Sequence, residues 1–208
     1  MSEKRLLLGD EAVALGALHA GLSGVYSYPG TPSTEVTEFI QNYAPEVRSR
    51  WCTNEKTAME AALGMSYAGK RALVCMKHVG MNVCADAFVN AAVTGVKGGL
   101  VVLAADDPSM HSSQNEQDSR FYAQFAMVPV FEPSDQQEAY DMIREAFAFS
   151  EEIGLPVLFR VVTRLAHSRA AVLTGDPSSQ NALEPSSDRG WILLPAIARR
   201  QYLKLIDK

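Results

Sequence analysis

Short apolar runs alternate along this chain with longer stretches whose apolar positions recur every three or four residues. Runs of the first kind read as buried strands and stretches of the second kind as helices laid over them. Residues 9–21 read as a helix closed by Gly21, and Val25–Tyr28 as a strand. A turn at Pro29–Ser33 leads into a helix that reaches about Tyr43, and a short strand follows at Val47–Trp51. A small-residue helix runs from Asn54 to about Ala68, with Gly69 as its stop and Arg71–Met76 as the next strand. Beyond these lie a helix at about Met81–Val93, a strand at Leu100–Ala104 and a long polar stretch at Asp106–Arg120. Pro129–Phe131, Asp135–Glu152 and Pro156–Val162 read as a short strand, a helix and the last strand. This alternation is the signature of an α/β chain: a three-layer α/β/α arrangement around a mainly parallel sheet.

After Thr174 the pattern changes. Residues 175–190 carry the Pro, Ser and Asn content of a linker, and the apolar WILLPAIARRQYLKLIDK follows. We therefore expect one domain over residues 1–174, and over 175–208 a linker with the start of a following segment. An apolar segment in that position is also able to dock on its own domain.

Composition narrows the function classes. With 208 residues, 47% hydrophobic and 21% charged, the chain is ordinary for a soluble globular domain. A net charge of -5 with no basic stripe speaks against a nucleic-acid partner. No apolar run approaches the roughly 20 residues that span a bilayer, and the apolar start at residues 6–8 meets Gly9, Asp10 and Glu11 too soon for a signal peptide. Cys52, Cys75 and Cys84 form no CxxC pair, so a reducing cytoplasm is the simple expectation and no iron–sulfur ligand set is present.

In open α/β sheets ligands bind beyond the carboxyl ends of the strands. Three such ends are unusual here: SYPGTPS, KHVGMN and ADDPSMHSSQNEQDSR. In the first, Thr31 before Pro32 reads as an N-cap with Pro at the first helical position, a well-made helix start or an anion site. Glu55 opens the next helix, where an acid is favoured by the helix dipole even without a further role. Ala58, Ala61, Ala62, Met65 and Ala68 give that helix a flat face suited to core or to a subunit contact. His78 follows a strand end, whereas His19 sits among apolar residues and reads as a core histidine. Arg120 is a carboxylate clamp by residue type, or simply a surface arginine. The acids of the 106–120 stretch lack any fixed metal-ligand spacing. TGVKGG precedes a strand, so it reads as a helix stop rather than a phosphate loop. GxSxG, GxGxxG and GxxxxGK[ST] are all absent.

Two motifs carry a family resemblance. NEKTAMEAALGMSYAGKRALV resembles the pyrimidine-domain helix of thiamine-diphosphate enzymes, with Glu55 and Gly64 at the matching places. YPGTPSTE resembles the YPxTPS motif of 2-oxoacid:ferredoxin oxidoreductases. The strings MKHVGMNVCAD, GVKGGLVVLAADDPSMHSSQNEQDSRFYA and EPSDQQEAYD are similar to the alpha subunit of the indolepyruvate-type members of that family. The resemblance covers about residues 5–170. It implies a thiamine-diphosphate pyrimidine-binding domain in which Glu55 bonds N1' of the aminopyrimidine and so activates the thiazolium carbon. Decarboxylation of a 2-oxoacid, electron transfer to iron–sulfur clusters and acyl transfer to coenzyme A then follow. It further implies Thr31 and Arg120 as contacts to the substrate carboxylate, and Met76, His78 and Asn82 as lining of the cofactor pocket.

The family's GDG…N motif for diphosphate and Mg2+, and its cysteine cluster, are absent from this sequence. The resemblance therefore implies that Mg2+ and the iron–sulfur clusters lie on other domains. It also implies partners: a diphosphate-binding domain or a second copy of the subunit, and an iron–sulfur or ferredoxin partner. The alternatives are the alpha chain of a split non-oxidative 2-oxoacid decarboxylase and a non-catalytic assembly domain. Glu55 argues against the second, and the long DDPSMHSSQNEQDSR string against the first.

Overall fold

The computed structural model describes residues 3–208. In chain order the elements are β1 (Glu3–Leu8), α1 (Gly9–His19), β2 (Gly24–Ser27), α2 (Thr34–Tyr43), β3 (Arg48–Trp51), α3 (Glu55–Tyr67), β4 (Ala72–Lys77) and α4 (His78–Thr94). They continue as β5 (Leu100–Asp106), α5 (Arg120–Ala126), β6 (Val130–Phe131), α6 (Gln136–Ile153), β7 (Val157–Val162), α7 (Thr163–His167) and β8 (Arg169–Thr174). A 3-10 turn at Arg189–Trp191 precedes α8 (Pro195–Ile206).

Six strands form one sheet in the order β3-β2-β4-β5-β7-β6, and every neighbouring pair is parallel. Both faces are covered, which is why the central strands are apolar throughout rather than alternating. Period-two alternation divides them between two cores. Leu73, Cys75, Val101, Leu103, Val157 and Phe159 pack with α1, α2 and α6. Ala72, Val74, Met76, Val102, Ala104 and Leu158 pack with α3, α4 and α5.

The chain leaves β2 toward β3 on one side and returns to β4 on the other. The crevice at such a reversal is where ligands sit in open parallel sheets, and here it opens between the carboxyl ends of β2 and β4.

Two expected elements change. Pro156–Val162 is not the last strand, because β8 follows and pairs antiparallel with β1 as a separate two-stranded sheet. Each strand is stable only through a partner more than 160 positions away (Glu3 faces Thr174), so neither carries a local hairpin signal. The helix expected from Met81 begins at His78, because β4 passes into α4 without a loop.

The segment after Thr174 lies against the domain along the sheet edge opposite the crevice. Ser178 donates its N–H to the carbonyl of His19 at 2.8 Å, and Glu184 donates to Ala68 at 2.9 Å. Trp191 stacks on Tyr67 with ring centroids 4.0 Å apart, and α8 packs on α4.

Helix α1 approaches α6 closely because position 16 is glycine. A Cβ there would lie 2.5 Å from both the Tyr140 carbonyl and the Ile143 methyl. Gly16→Ala is therefore expected to lower unfolding stability by about 1–3 kcal/mol, as overpacking does. Urea denaturation of the two proteins checks it.

Candidate active site

Glu55 is the first residue of α3, and the cap before it is complete. The Asn54 side chain accepts the Thr57 N–H at 2.9 Å. Glu55 is 7% exposed, and its carboxylate folds over Gly80 in the first turn of α4. A Cβ on Gly80 would stand 2.6 Å from Glu55 Oε1, so the glycine is what admits the acid. Two helix starts, from the ends of β3 and β4, thus hold one carboxylate between them.

His78 opens α4 and is fully buried. Its Nε2 lies 3.0 Å from the Asn115 carbonyl, which only accepts, so Nε2 carries the hydrogen. Nδ1 is then a buried ring nitrogen with no partner among the described residues. Such an atom is costly alone and suits a polar ligand group.

Lys77, which sequence reasoning passed over, joins the loops. Its side chain lies under Gly30, where a Cβ would meet the Lys77 Cδ at 3.0 Å. Its ammonium donates to the Ser112 carbonyl at 3.1 Å. The 28–33 loop, the β4–α4 junction and the 107–119 loop therefore meet at one place. The signal of Lys77 in the sequence is a charged residue closing the apolar run 72–76, directly before His78.

Thr31 is exposed in the first of these loops. It is not the N-cap of α2, and Pro32 is not its first residue. The Thr31–Pro32 peptide is cis, and α2 starts at Thr34. A turn closes first, with the Ser33 N–H on the Gly30 carbonyl at 2.9 Å and the Thr34 hydroxyl accepting from Gly30 N–H at 2.9 Å. That turn uses the residues the sequence suggested for the cap.

Met76 is fully buried among the core residues beneath α3 and α4, behind the crevice rather than at its surface. Asn82 is exposed on α4 and accepts a hydrogen bond from the Tyr122 hydroxyl of α5. Arg120 is exposed, but its guanidinium already forks onto Asp118 (Nε to Oδ1 2.8 Å, Nη2 to Oδ2 2.6 Å) and reaches Glu132 at 3.4 Å. Arg120 in turn holds the Asp118 carboxyl down at about 2. Behind this pair Arg160 donates to buried Asp106 at 2.6 Å and to Glu132. His19 is a structural histidine, with Nδ1 2.7 Å from the Tyr140 hydroxyl.

The 107–119 loop is tied at Asp107. Burial alone would push this carboxyl upward. The Ser112 N–H (2.8 Å) and the hydroxyls of Ser113 and Thr163 (each 2.7 Å) outweigh it and hold Asp107 well below the usual range. A depressed folded value means stability that is present above the ordinary 3.8 and lost as pH falls through and below it. Hydrogen exchange of peptides covering residues 108–118, corrected for intrinsic rates, is expected to rise below that pH. In Asp107→Asn it is expected to be fast at neutral pH already.

All three cysteines are free thiols. Burial pushes Cys75 and Cys84 up to about 12, while Cys52 is only partly buried at the end of β3. A disulfide-exchange reagent at pH 8 is expected to titrate Cys52 in the native chain, and Cys75 and Cys84 only after denaturation.

Comparison with known proteins bears on this arrangement. Residues 15–188 match the family described as pyruvate flavodoxin/ferredoxin oxidoreductase, thiamine diphosphate-binding. The indolepyruvate oxidoreductase subunit IorA of Methanothermobacter thermautotrophicus is 43% identical over 99% of this chain and 34% of its own length. The subunit of the same name from Pyrococcus abyssi is 50% identical over 84% of this chain and 27% of its own. The chain thus spans about a third of the length of the curated relatives it matches. Among solved structures, a 2-oxoglutarate:ferredoxin oxidoreductase from Magnetococcus marinus superimposes with a TM-score of 0.76 at 21% identity, covering 90% of this chain and 34% of that one.

Proposed function

We propose, from the premise that this chain belongs to the pyruvate flavodoxin/ferredoxin oxidoreductase thiamine-diphosphate-binding family, that it holds the pyrimidine end of thiamine diphosphate in an oxidoreductase acting on an aryl 2-oxoacid. The observation that carries this reading is the Glu55 carboxylate, buried against Gly80 at the start of α3 and beside the crevice between β2 and β4. The residues fit the group. An acid held between two helix starts is placed to share a proton with N1' of an aminopyrimidine, and the unpartnered Nδ1 of His78 offers a second polar contact. When bound, thiamine diphosphate supplies the nucleophilic carbon and the electron sink for decarboxylation.

The chain's own part is to bind, orient and control that proton. Glu55 holds it at the pyrimidine nitrogen, and Gly80 leaves the room the carboxylate needs. Asn82 faces solvent from α4 beside Tyr122 and closes one side of the pocket, while Met76 supports it from the core behind. Thr31 supplies a hydroxyl from the loop on Lys77, and is our choice for the substrate carboxylate. Arg120 serves the same carboxylate by exchanging it for Asp118.

Aryl pyruvates are the proposed substrates because the relatives at 43–50% identity are named indolepyruvate oxidoreductase subunits. The diphosphate, its Mg2+, the iron–sulfur clusters and the ferredoxin contact belong, on this reading, to other domains or subunits, with the cofactor at the boundary and coenzyme A taking the acyl group. Three free thiols suit a reducing cytoplasm. Among the described residues no helix is long and apolar enough to cross a membrane. The polar 107–119 loop tied to the crevice favours this reading over a split non-oxidative decarboxylase or an assembly domain.

In the assembled complex, Glu55→Gln is expected to lower indolepyruvate-dependent viologen reduction, with coenzyme A present, by about 100-fold or more, as loss of a positioned proton-transfer group does. Gly80→Ala is expected to act in the same direction by displacing the acid. Unchanged turnover in Glu55→Gln, with the complex intact by gel filtration, removes Glu55 from the chemistry.

A further inference from the structure

A second cluster of ionisable groups lies on the other face of the sheet, away from Glu55. Asp10 stands in the first turn of α1, Glu35 in the first turn of α2, and His167 at the end of α7. One ligand atom from each lies within 4.8 Å of the others, and His167 Nε2 is 3.6 Å from Glu35 Oε1. Asp10 is fully buried, and neither of its carboxylate oxygens has a hydrogen-bond partner among the described residues. Oε2 of Glu35 is likewise buried and unpartnered.

The backbone holds these groups together rather than leaving them to chance. A Cβ on Gly9 would stand 2.1 Å from the Leu165 carbonyl, so α1 starts in direct contact with α7. The Gly9 N–H also donates to the Ser168 carbonyl at 3.2 Å. A carboxylate buried without donors, beside a second one, is a costly arrangement for anions alone. The same arrangement is what a small divalent cation requires.

We infer that Asp10, Glu35 and His167 form a binding site for a divalent transition-metal ion of the zinc class. Two carboxylate oxygens and one imidazole nitrogen are the donor set such ions take, and the nitrogen disfavours an all-oxygen ion such as Mg2+. Asp10 forms the buried floor. Glu35 and His167, each with 37% of its side chain exposed, form the mouth and leave a position for water. The ion would tie the starts of α1 and α2 to α7, and so brace the loop that precedes α2. This inference does not depend on the proposed oxidoreductase function, and its test does not use activity.

The full chain, stripped with EDTA and dialysed, is titrated calorimetrically with Zn2+ alone. Co2+ titration follows visible absorption as a reporter of nitrogen and oxygen ligation. One equivalent of saturable binding and a rise in thermal midpoint with Zn2+ are expected. Asp10→Asn keeps the shape of the floor and removes its charge; His167→Gln changes an exposed ring. Both are expected to keep the wild-type circular dichroism and to lose saturable binding, the Co2+ bands and the thermal shift. A wild type that takes up no Zn2+, or a folded Asp10→Asn that binds it undiminished, overturns the site.

Discussion

All six strands of the main sheet run in one direction, and the placement of the candidate site follows from that. Parallel strands need crossovers, and crossovers place helices on both faces. Each strand therefore leaves the sheet at one common edge, and each following helix starts there. Helix starts offer unpaired N–H groups and favour negative charge. Glu55 at α3, His78 at α4 and the Gly30–Ser33 turn before α2 are three such exits gathered at one edge. The reversal between β2 and β4 then sets where along that edge the crevice opens.

Much of this was legible in the sequence because it is written locally. The apolar runs of β4 and β5 have flanking glycines and no polar interruption, so their strand character is unambiguous. Asn54 and Asp135, where the sequence starts two helices, each accept a backbone N–H as caps in the structure. The small-residue pattern after Glu55 marked the right helix. What was not legible depends on partners distant in sequence. β1 and β8 exist through each other, and neither looks like a strand alone. Thr31 looked like a cap because a cap and a turn use the same residue types, and only the hydrogen bonds of Gly30 separate them. The fork of Arg120 onto Asp118, two residues away, is a choice among several acids that spacing cannot make.

Charge at the crevice edge is arranged in nested pairs. Asp106 is covered by Arg160, Arg160 reaches Glu132, and Glu132 meets Arg120. Only the outermost cation of this chain of pairs faces solvent. On the proposed reading, an arriving carboxylate would compete with Asp118 for a guanidinium already in place, rather than ordering a free side chain. That exchange loses less side-chain freedom than capture by a mobile arginine.

The segment that crosses the opposite edge has a mechanical meaning. By binding the His19 carbonyl at the end of α1 and the Ala68 carbonyl at the end of α3, it fastens a helix from each face to the same strap. Lys70 at the foot of β4 is held to it as well, through the Asn181 carbonyl. Helix ends that would otherwise fray separately are thus joined into one unit that opens together or not at all. The strapped end of the domain is the one opposite the crevice.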